Sequence, residues 1–280
     1  MSCEFLWAFN SHIWQPTKRQ VLLALSSLCQ EEVDRINQFR FKDDFKLCLA
    51  GRLMIRKCIQ LATNIKWNEI NLARSTKGKP ILQNELCGRK KFFFNISHQG
   101  DYTVLAASTK INIGIDVMKF VQPNNTDIQS FFKLMKRQFV DSEWSYILSH
   151  ENEWKNMEAF YRMWCLKESY VKATGTGIGT NTASYMSFDV SDDDWIEQNN
   201  MNVCKSSKLF IGDKPQPWKF QEYQLDNKHI LAVALDTLND TEFDIPFHFV
   251  TIEELLTDAV ECHPQQDMWW QNFQAKHIKR

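Results

Sequence analysis

Charge of one sign is what this chain most plainly lacks: 33 Lys and Arg stand against 34 Asp and Glu, a formal net charge of -1. So balanced a chain exerts no global pull on nucleic acid, and any anion site must come from a local basic cluster. No nucleic-acid recognition motif is present either. None of the 8 cysteines forms a C-x-x-C pair, and their spacing matches no zinc pattern. No apolar run approaches a membrane span. Met1–Asn10 lacks the basic start and apolar stretch of a secretory signal. Low-complexity segments are missing as well. These absences lead us to expect a reduced, cytosolic protein with no membrane and no nucleic-acid partner, whose cysteines mostly serve as small apolar residues. What is present is ordinary globular material: 280 residues, 44% hydrophobic and 24% charged, enough for one large domain or two half-size ones.

Along the chain, Phe5–Phe9 reads as a strand, and Val21–Cys29 and Asp44–Leu61 carry helical spacing, the latter through Leu47, Ala50, Met54, Cys58 and Leu61. Arg74–Pro80 reads as a basic turn punctuated by Gly78 and Pro80. Phe92–Ile96 and Tyr102–Ala107 look like strands joined through Ser97–Asp101. The second half restates this plan: a strand at Ile113–Val117, helices in Ile128–Phe139 and Met157–Thr174, and a strand pair at Trp218–Tyr223 and His229–Leu235. Val104-Leu105-Ala106-Ala107 echoes Ile230-Leu231-Ala232-Val233. Aligning the long helices sets Arg52 and Arg56 against Glu168 and Lys172. We therefore expect an α+β protein with two similar halves, residues 1–110 and 111–240, forming a pseudo-twofold dimer within one chain, followed by a tail at 241–280. Ser191–Asp194 reads as a loop, Phe247–Val250 as a strand and Ile252–Ala259 as a short helix.

Four local signals carry chemistry. In Trp164-Cys165-Leu166-Lys167-Glu168-Ser169-Tyr170-Val171-Lys172, Glu168 and Lys172 share a helix face with Tyr161 and Cys165. Alone, such a pair is also an ordinary surface salt bridge. In Gly114-Ile115-Asp116-Val117 an acid interrupts an apolar run, and burying an unpaired carboxylate is costly. Beside Glu168 it makes a site for a hard cation such as Mg²⁺; alone, it also serves to close a strand or cap the next turn. Asn95-Ile96-Ser97-His98 puts polar groups at a strand junction, where donors converge on a phosphate or merely shape a turn. Arg74-Ser75-Thr76-Lys77-Gly78-Lys79 sets cations on a glycine turn, fit for a phosphate or for water, without the spacing of a Walker A loop. Gly175 reads as a helix C-cap, and Gly175, Gly177 and Gly179 do not form a dinucleotide fingerprint. Jointly, the carboxylates, the lysine and the basic loops fit transfer chemistry on a multiply phosphorylated nucleotide.

In order, Gly114-Ile115-Asp116 and Trp164–Lys172 resemble the two signature motifs of Sfp-type 4′-phosphopantetheinyl transferases. Asn95–His98, the Arg74–Pro80 loop and Glu31–Phe39 with Arg35 resemble that family's coenzyme A-binding segments. The resemblance runs from about Phe5 to about Leu235. It implies coenzyme A as co-substrate, held by Arg35, Arg74, Ser75, Thr76, Lys77, Gly78, Lys79, Asn95, Ile96, Ser97, His98, Asp116, Glu168 and Lys172. It implies Mg²⁺ on Asp116 and Glu168, with Glu168 and Lys172 catalytic. The implied product is a phosphopantetheinylated carrier serine, released with 3′,5′-ADP, from a monomeric enzyme. The implied partners are apo acyl carrier proteins or carrier domains of the fatty acid synthase and aminoadipate-semialdehyde dehydrogenase types. Bacterial members usually carry Asp-x-Glu where this chain has Asp116-Val117-Met118, and a thioether is a poor ligand for a hard cation, so water or Gln99 would fill that place. Two other classes stand beside this reading: an inactive coenzyme A- or carrier-binding adaptor, which would need no base, and a nucleic-acid module, which the charge balance disfavours.

Overall fold

The computed structural model describes residues 3–76, 78–86, 91–177, 185–237 and 244–279. The chain divides into two units, one of Met1–Lys110 with Ile245–Arg280 and one of Ile111–Asp244. Among the described residues, no helix is long and apolar enough to cross a membrane.

In the first unit, the apolar run near the start forms β1 (Glu4–Asn10). Three helices follow: α1 (Lys18–Ser26), α2 (Gln30–Asn37) and α3 (Lys42–Thr63). A small hairpin, β2 (Leu72–Arg74) and β3 (Pro80–Leu82), precedes a long one, β4 (Phe93–Gln99) and β5 (Tyr102–Ser108). The β4–β5 turn is only Gly100-Asp101, with Gly100 at φ 60°, a region open chiefly to glycine. Asn95, Ser97 and His98 therefore lie within a strand, not at the junction expected for them: a two-residue turn lets the ladder run out to Gln99 and Tyr102. β5 lies between β1 and β4, antiparallel to both.

The second unit runs β6 (Ile113–Lys119), α4 (Ile128–Met135), α5 (Asp141–Ile147) and α6 (Glu153–Thr174). Five short strands follow: β7 (Met186–Asp189), β8 (Ile196–Gln198), β9 (Met201–Cys204), β10 (Lys208–Ile211) and β11 (Lys214–Pro215). Then come β12 (Trp218–Asp226) and β13 (His229–Asp236). β13 lies between β6 and β12, antiparallel to both, so the order β6-β13-β12 repeats the order β1-β5-β4 of the first unit.

The repeat extends to a buried ion pair. Glu32 accepts the Cys29 backbone N–H at the start of α2 and binds Arg56 of α3 at 2.6 Å. Glu143 accepts the Val140 N–H at the start of α5 and binds Lys167 of α6 at 2.7 Å. Each cation also donates to two backbone carbonyls, Arg56 to Trp67 and Ile70, Lys167 to Gln138 and Met186. One shift along the chain carries Glu32 onto Glu143, Arg56 onto Lys167, and Lys42, the first residue of α3, onto Glu153, the first of α6. The alignment of Arg52 and Arg56 with Glu168 and Lys172 is thus out of register. The same shift carries Lys57 and Leu61 onto those two residues, and Arg52 onto Met163.

The segment expected as a separate tail is built into the first unit. β14 (Phe247–Phe249) extends the sheet beside β1, in parallel. From α7 (Ile252–Leu256), Ile252 and Leu255 join the core of Leu49, Leu53 and Phe45; Trp269 and Phe273 of α8 (Asp267–Ala275) do the same. Lys57 of α3 is ion-paired with Asp258. An edge strand offers a row of backbone groups for pairing, and β14 covers that of β1.

Candidate active site

The second unit builds its site where α6 crosses β6. Gly114 permits the crossing: a Cβ there would lie 2.0 Å from the Ser169 carbonyl oxygen and 2.5 Å from the Ala173 nitrogen. Alternation puts Asp116 and Met118 on the same strand face as Gly114. α6 is capped by the Asn152 side chain at its start and by Gly175, at φ 70°, at its end. It presents Cys165, Glu168 and Lys172 at steps of three and four.

Asp116 is only 4% exposed. Its Oδ1 accepts from Lys172 Nζ at 2.6 Å, and its backbone oxygen accepts from Cys165 Sγ at 3.3 Å. Glu168 is half-buried. Burial, and then the neighbouring Asp116 charge, raise its pKa above the usual carboxylate value; Lys172 partly offsets them. Two carboxylates and one ammonium therefore lie together, partly desolvated, with negative charge in excess. That donor set fits a hard dication, which takes one or two protein carboxylates and completes its shell with water and phosphate oxygens. Among the described residues, no three His, Cys, Asp or Glu side chains converge on a metal position, so the protein alone does not fill such a shell.

The first unit gathers cations. Arg52 on α3 and Arg35 on α2 both lie within electrostatic reach of Arg74 on β2, as does the opposing charge of Glu31. Burial first, then the charges of Arg52 and Arg35, lower the Arg74 pKa below the usual guanidinium value. Glu32 faces Arg52 at 3.8 Å, and it is engaged by Arg56. Guanidiniums gathered around Arg74 favour a multiply charged anion. The adjacent turn is ordered from within: Arg74 donates to the Gly78 oxygen at 2.9 Å, Ser75 N–H to Lys79 O at 2.8 Å, and Lys79 N–H to Ser75 Oγ at 3.1 Å. Thr76 and Gly78 are exposed, while burial lowers the Lys79 pKa. Lys77 lies outside the described residues.

The remaining expected residues lie on β4, the sheet edge. Asn95 and Ser97 are buried and His98 is exposed. The Ile96 side chain packs over Gly51 of α3, which leaves its backbone as the part able to meet a ligand.

Sequence reasoning missed Arg52 as a member of the basic cluster. The signal was present, since Arg52 and Arg56 stand four apart on a helix, but only the folded chain shows that Arg56 turns inward to Glu32 while Arg52 joins Arg74. Lys167, in the midst of the motif, is a structural cation bound to Glu143.

Comparison with known proteins follows the same division. A family model described as "4'-phosphopantetheinyl transferase, N-terminal" matches residues 12–110, and one described as "4'-phosphopantetheinyl transferase superfamily" matches residues 112–234. The human L-aminoadipate-semialdehyde dehydrogenase-phosphopantetheinyl transferase is 39% identical over 95% of this chain and 90% of its own. A Thraustochytrium phosphopantetheinyl transferase is 32% identical over 82% of this chain and 77% of its own. The Nostoc 4'-phosphopantetheinyl transferase HetI is 31% identical over 60% of this chain and 69% of its own.

Proposed function

Because the chain belongs to the 4′-phosphopantetheinyl transferase superfamily, which modifies carrier proteins with coenzyme A as co-substrate, we propose that Asp116, Glu168 and Lys172 carry the transfer and that the first unit grips the nucleotide. The observation that carries this reading is the 2.6 Å Lys172–Asp116 pair beside a Glu168 whose pKa is raised by burial and by Asp116. A carboxylate made more basic without leaving water altogether suits proton abstraction near neutral pH.

In this mechanism Glu168 takes the proton of the carrier serine hydroxyl. The serine oxygen bonds to the β-phosphorus of coenzyme A, the bond from that phosphorus to the bridging oxygen breaks, and 3′,5′-ADP leaves with the electron pair. Lys172 donates to the departing phosphate as its charge grows. Asp116 holds Lys172 at the required height on α6. Mg²⁺, held by Asp116 and Glu168, would supply positive charge against the pyrophosphate. Arg35, Arg52, Arg74, Lys77 and Lys79, with Ser75, Thr76, Gly78 and the Asn95–His98 strand, would bind the nucleotide's phosphates and base. The shared strand order supports two duplicated halves related by a pseudo-twofold axis, acting as a single chain.

Calorimetry tests the metal assignment apart from turnover. Mg²⁺ should tighten coenzyme A binding to the wild type, and Asp116→Asn should abolish that increment while metal-free binding survives. A full Mg²⁺ increment in the variant would remove Asp116 from the metal site.

The carrier partners extend to the acyl carrier type and to the aminoadipate-semialdehyde dehydrogenase type, the second supported by the human relative's name. On α4, Ile128 and Phe132 are buried, whereas Leu134 is 77% exposed and lies among exposed Lys133, Lys136 and Arg137. An apolar anchor with a basic rim suits the acidic helix that such carriers present. Reversing the three cations to Glu should raise the KM for the carrier, more at low salt than at high, and leave that for coenzyme A near its wild-type value. Normal carrier binding at low salt would put docking on another surface.

A further inference from the structure

The last residues of the chain close over the corner between α2 and α3. Lys276 Nζ donates to the carbonyl oxygens of Asn37 at 2.8 Å and Phe39 at 2.6 Å. These lie at the end of α2, where the helix leaves carbonyls without internal partners and favours a cation. One residue on, the His277 N–H donates to Arg40 O at 3.1 Å, and His277 O accepts the N–H of Lys42, the first residue of α3, at 2.8 Å. Lys279 Nζ then pairs with Asp44 at 2.5 Å. Lys276 Nζ also lies over the Phe45 ring, 5.5 Å from its centroid, and α8 just before it is anchored by Trp269 and Phe273 in the core. This segment lies outside both stretches matched by the family models.

α2 is thus held at both ends, by Glu32 on Arg56 at its start and by Lys276 at its finish, while His277 holds the Arg40–Lys42 link to α3. Between them stands Arg35, in the last turn, its side chain exposed and within electrostatic reach of Arg74. An exposed guanidinium has no packing of its own to orient it, so its reach follows the helix backbone. We propose that the strap Lys276–Lys279 positions α2 so that Arg35 meets the nucleotide phosphate, with Lys276 as the positioning residue. The proposal rests on the reading of Arg35 as a coenzyme A contact.

A double-mutant cycle on the full chain tests it, read by calorimetry with coenzyme A and by the KM values of both substrates. Lys276→Met keeps an unbranched apolar side chain and removes the charge and the donors. It should weaken coenzyme A binding about tenfold, the scale of one charge-assisted hydrogen bond, and leave the carrier KM unchanged. Lys276→Arg, which keeps a donor, should restore most of the affinity. In an Arg35→Ala background, Lys276→Met should have no further effect. Wild-type affinity in Lys276→Met would overturn the strap, and so would a full tenfold loss persisting on top of a weakened Arg35→Ala. Wild-type affinity in Arg35→Ala would instead overturn the reading of Arg35, and the strap's role with it.

Discussion

Glu168→Gln is expected to lower turnover by about 10²–10⁴-fold, the usual contribution of a positioned general base, and to leave the protein more stable than wild type at neutral pH. The first effect follows from removing the proposed base and proposed metal ligand together. The second follows from what raises the Glu168 pKa: burial, then the Asp116 charge. A carboxyl group whose pKa is raised by folding stabilises the fold where it is protonated, below its unfolded-state pKa. That contribution is lost as pH rises through the folded-state value. Above that window wild type holds a desolvated charge against Asp116, whereas glutamine of the same shape does not. Urea midpoints measured without metal from acid to neutral pH should therefore fall for wild type relative to the variant. A variant less stable at neutral pH would mean that the Glu168 charge is well compensated in the metal-free protein, and near-wild-type turnover would strip Glu168 of its role as base.

Gly114→Ala should cost about 3 kcal/mol or more and abolish activity even below the unfolding transition, a larger loss than ordinary overpacking because the obstacle is backbone. The new methyl would meet the Ser169 oxygen at 2.0 Å and the Ala173 nitrogen at 2.5 Å, so α6 must lift from β6. Asp116 lies two residues further along the same strand face, and its hold on Lys172 opens with the same movement. Gly51→Ala is the control. Its Cβ would meet Ile96 Cδ1 at 3.0 Å, the far end of a flexible side chain, and a helix interior favours alanine over glycine by about 1 kcal/mol. It should be near neutral. Equal tolerance of both substitutions would show that the α6–β6 crossing is not what sets the site.

Elements with a long period were legible in the sequence. The spacing through Leu47, Met54 and Cys58 predicted a helix that the structure extends to Lys42–Thr63, and the apolar run broken by Asp116 predicted β6. Short elements were not legible. β7 to β11 run two to four residues, too few to show a period, and the apolar residues that α5 buries are only Trp144 and Ile147. The internal repeat was visible in its strands but misregistered in its helices, because Arg52 and Arg56 resemble Glu168 and Lys172 in spacing alone. Only the matched Glu32–Arg56 and Glu143–Lys167 pairs fix the register. Within the site, the carboxylates and Lys172 stood out because charge within apolar context is costly. Arg52 did not, because a helix arginine declares its partner only when the chain folds. The end of the second half expected at Thr237–Glu242 lies mostly outside the described residues.

The central claim is that Asp116, Glu168 and Lys172 move phosphopantetheine from coenzyme A to a carrier serine. Its most direct test is the mass of an apo carrier protein incubated with wild-type enzyme, coenzyme A and Mg²⁺, beside the same carrier with its serine replaced by alanine and beside Glu168→Gln enzyme. The carrier should gain the mass of one phosphopantetheine group with wild-type enzyme, with an equal amount of 3′,5′-ADP released, and gain nothing in the same time in either control. A carrier left unmodified by the wild type, or modified equally fast by Glu168→Gln, would contradict it.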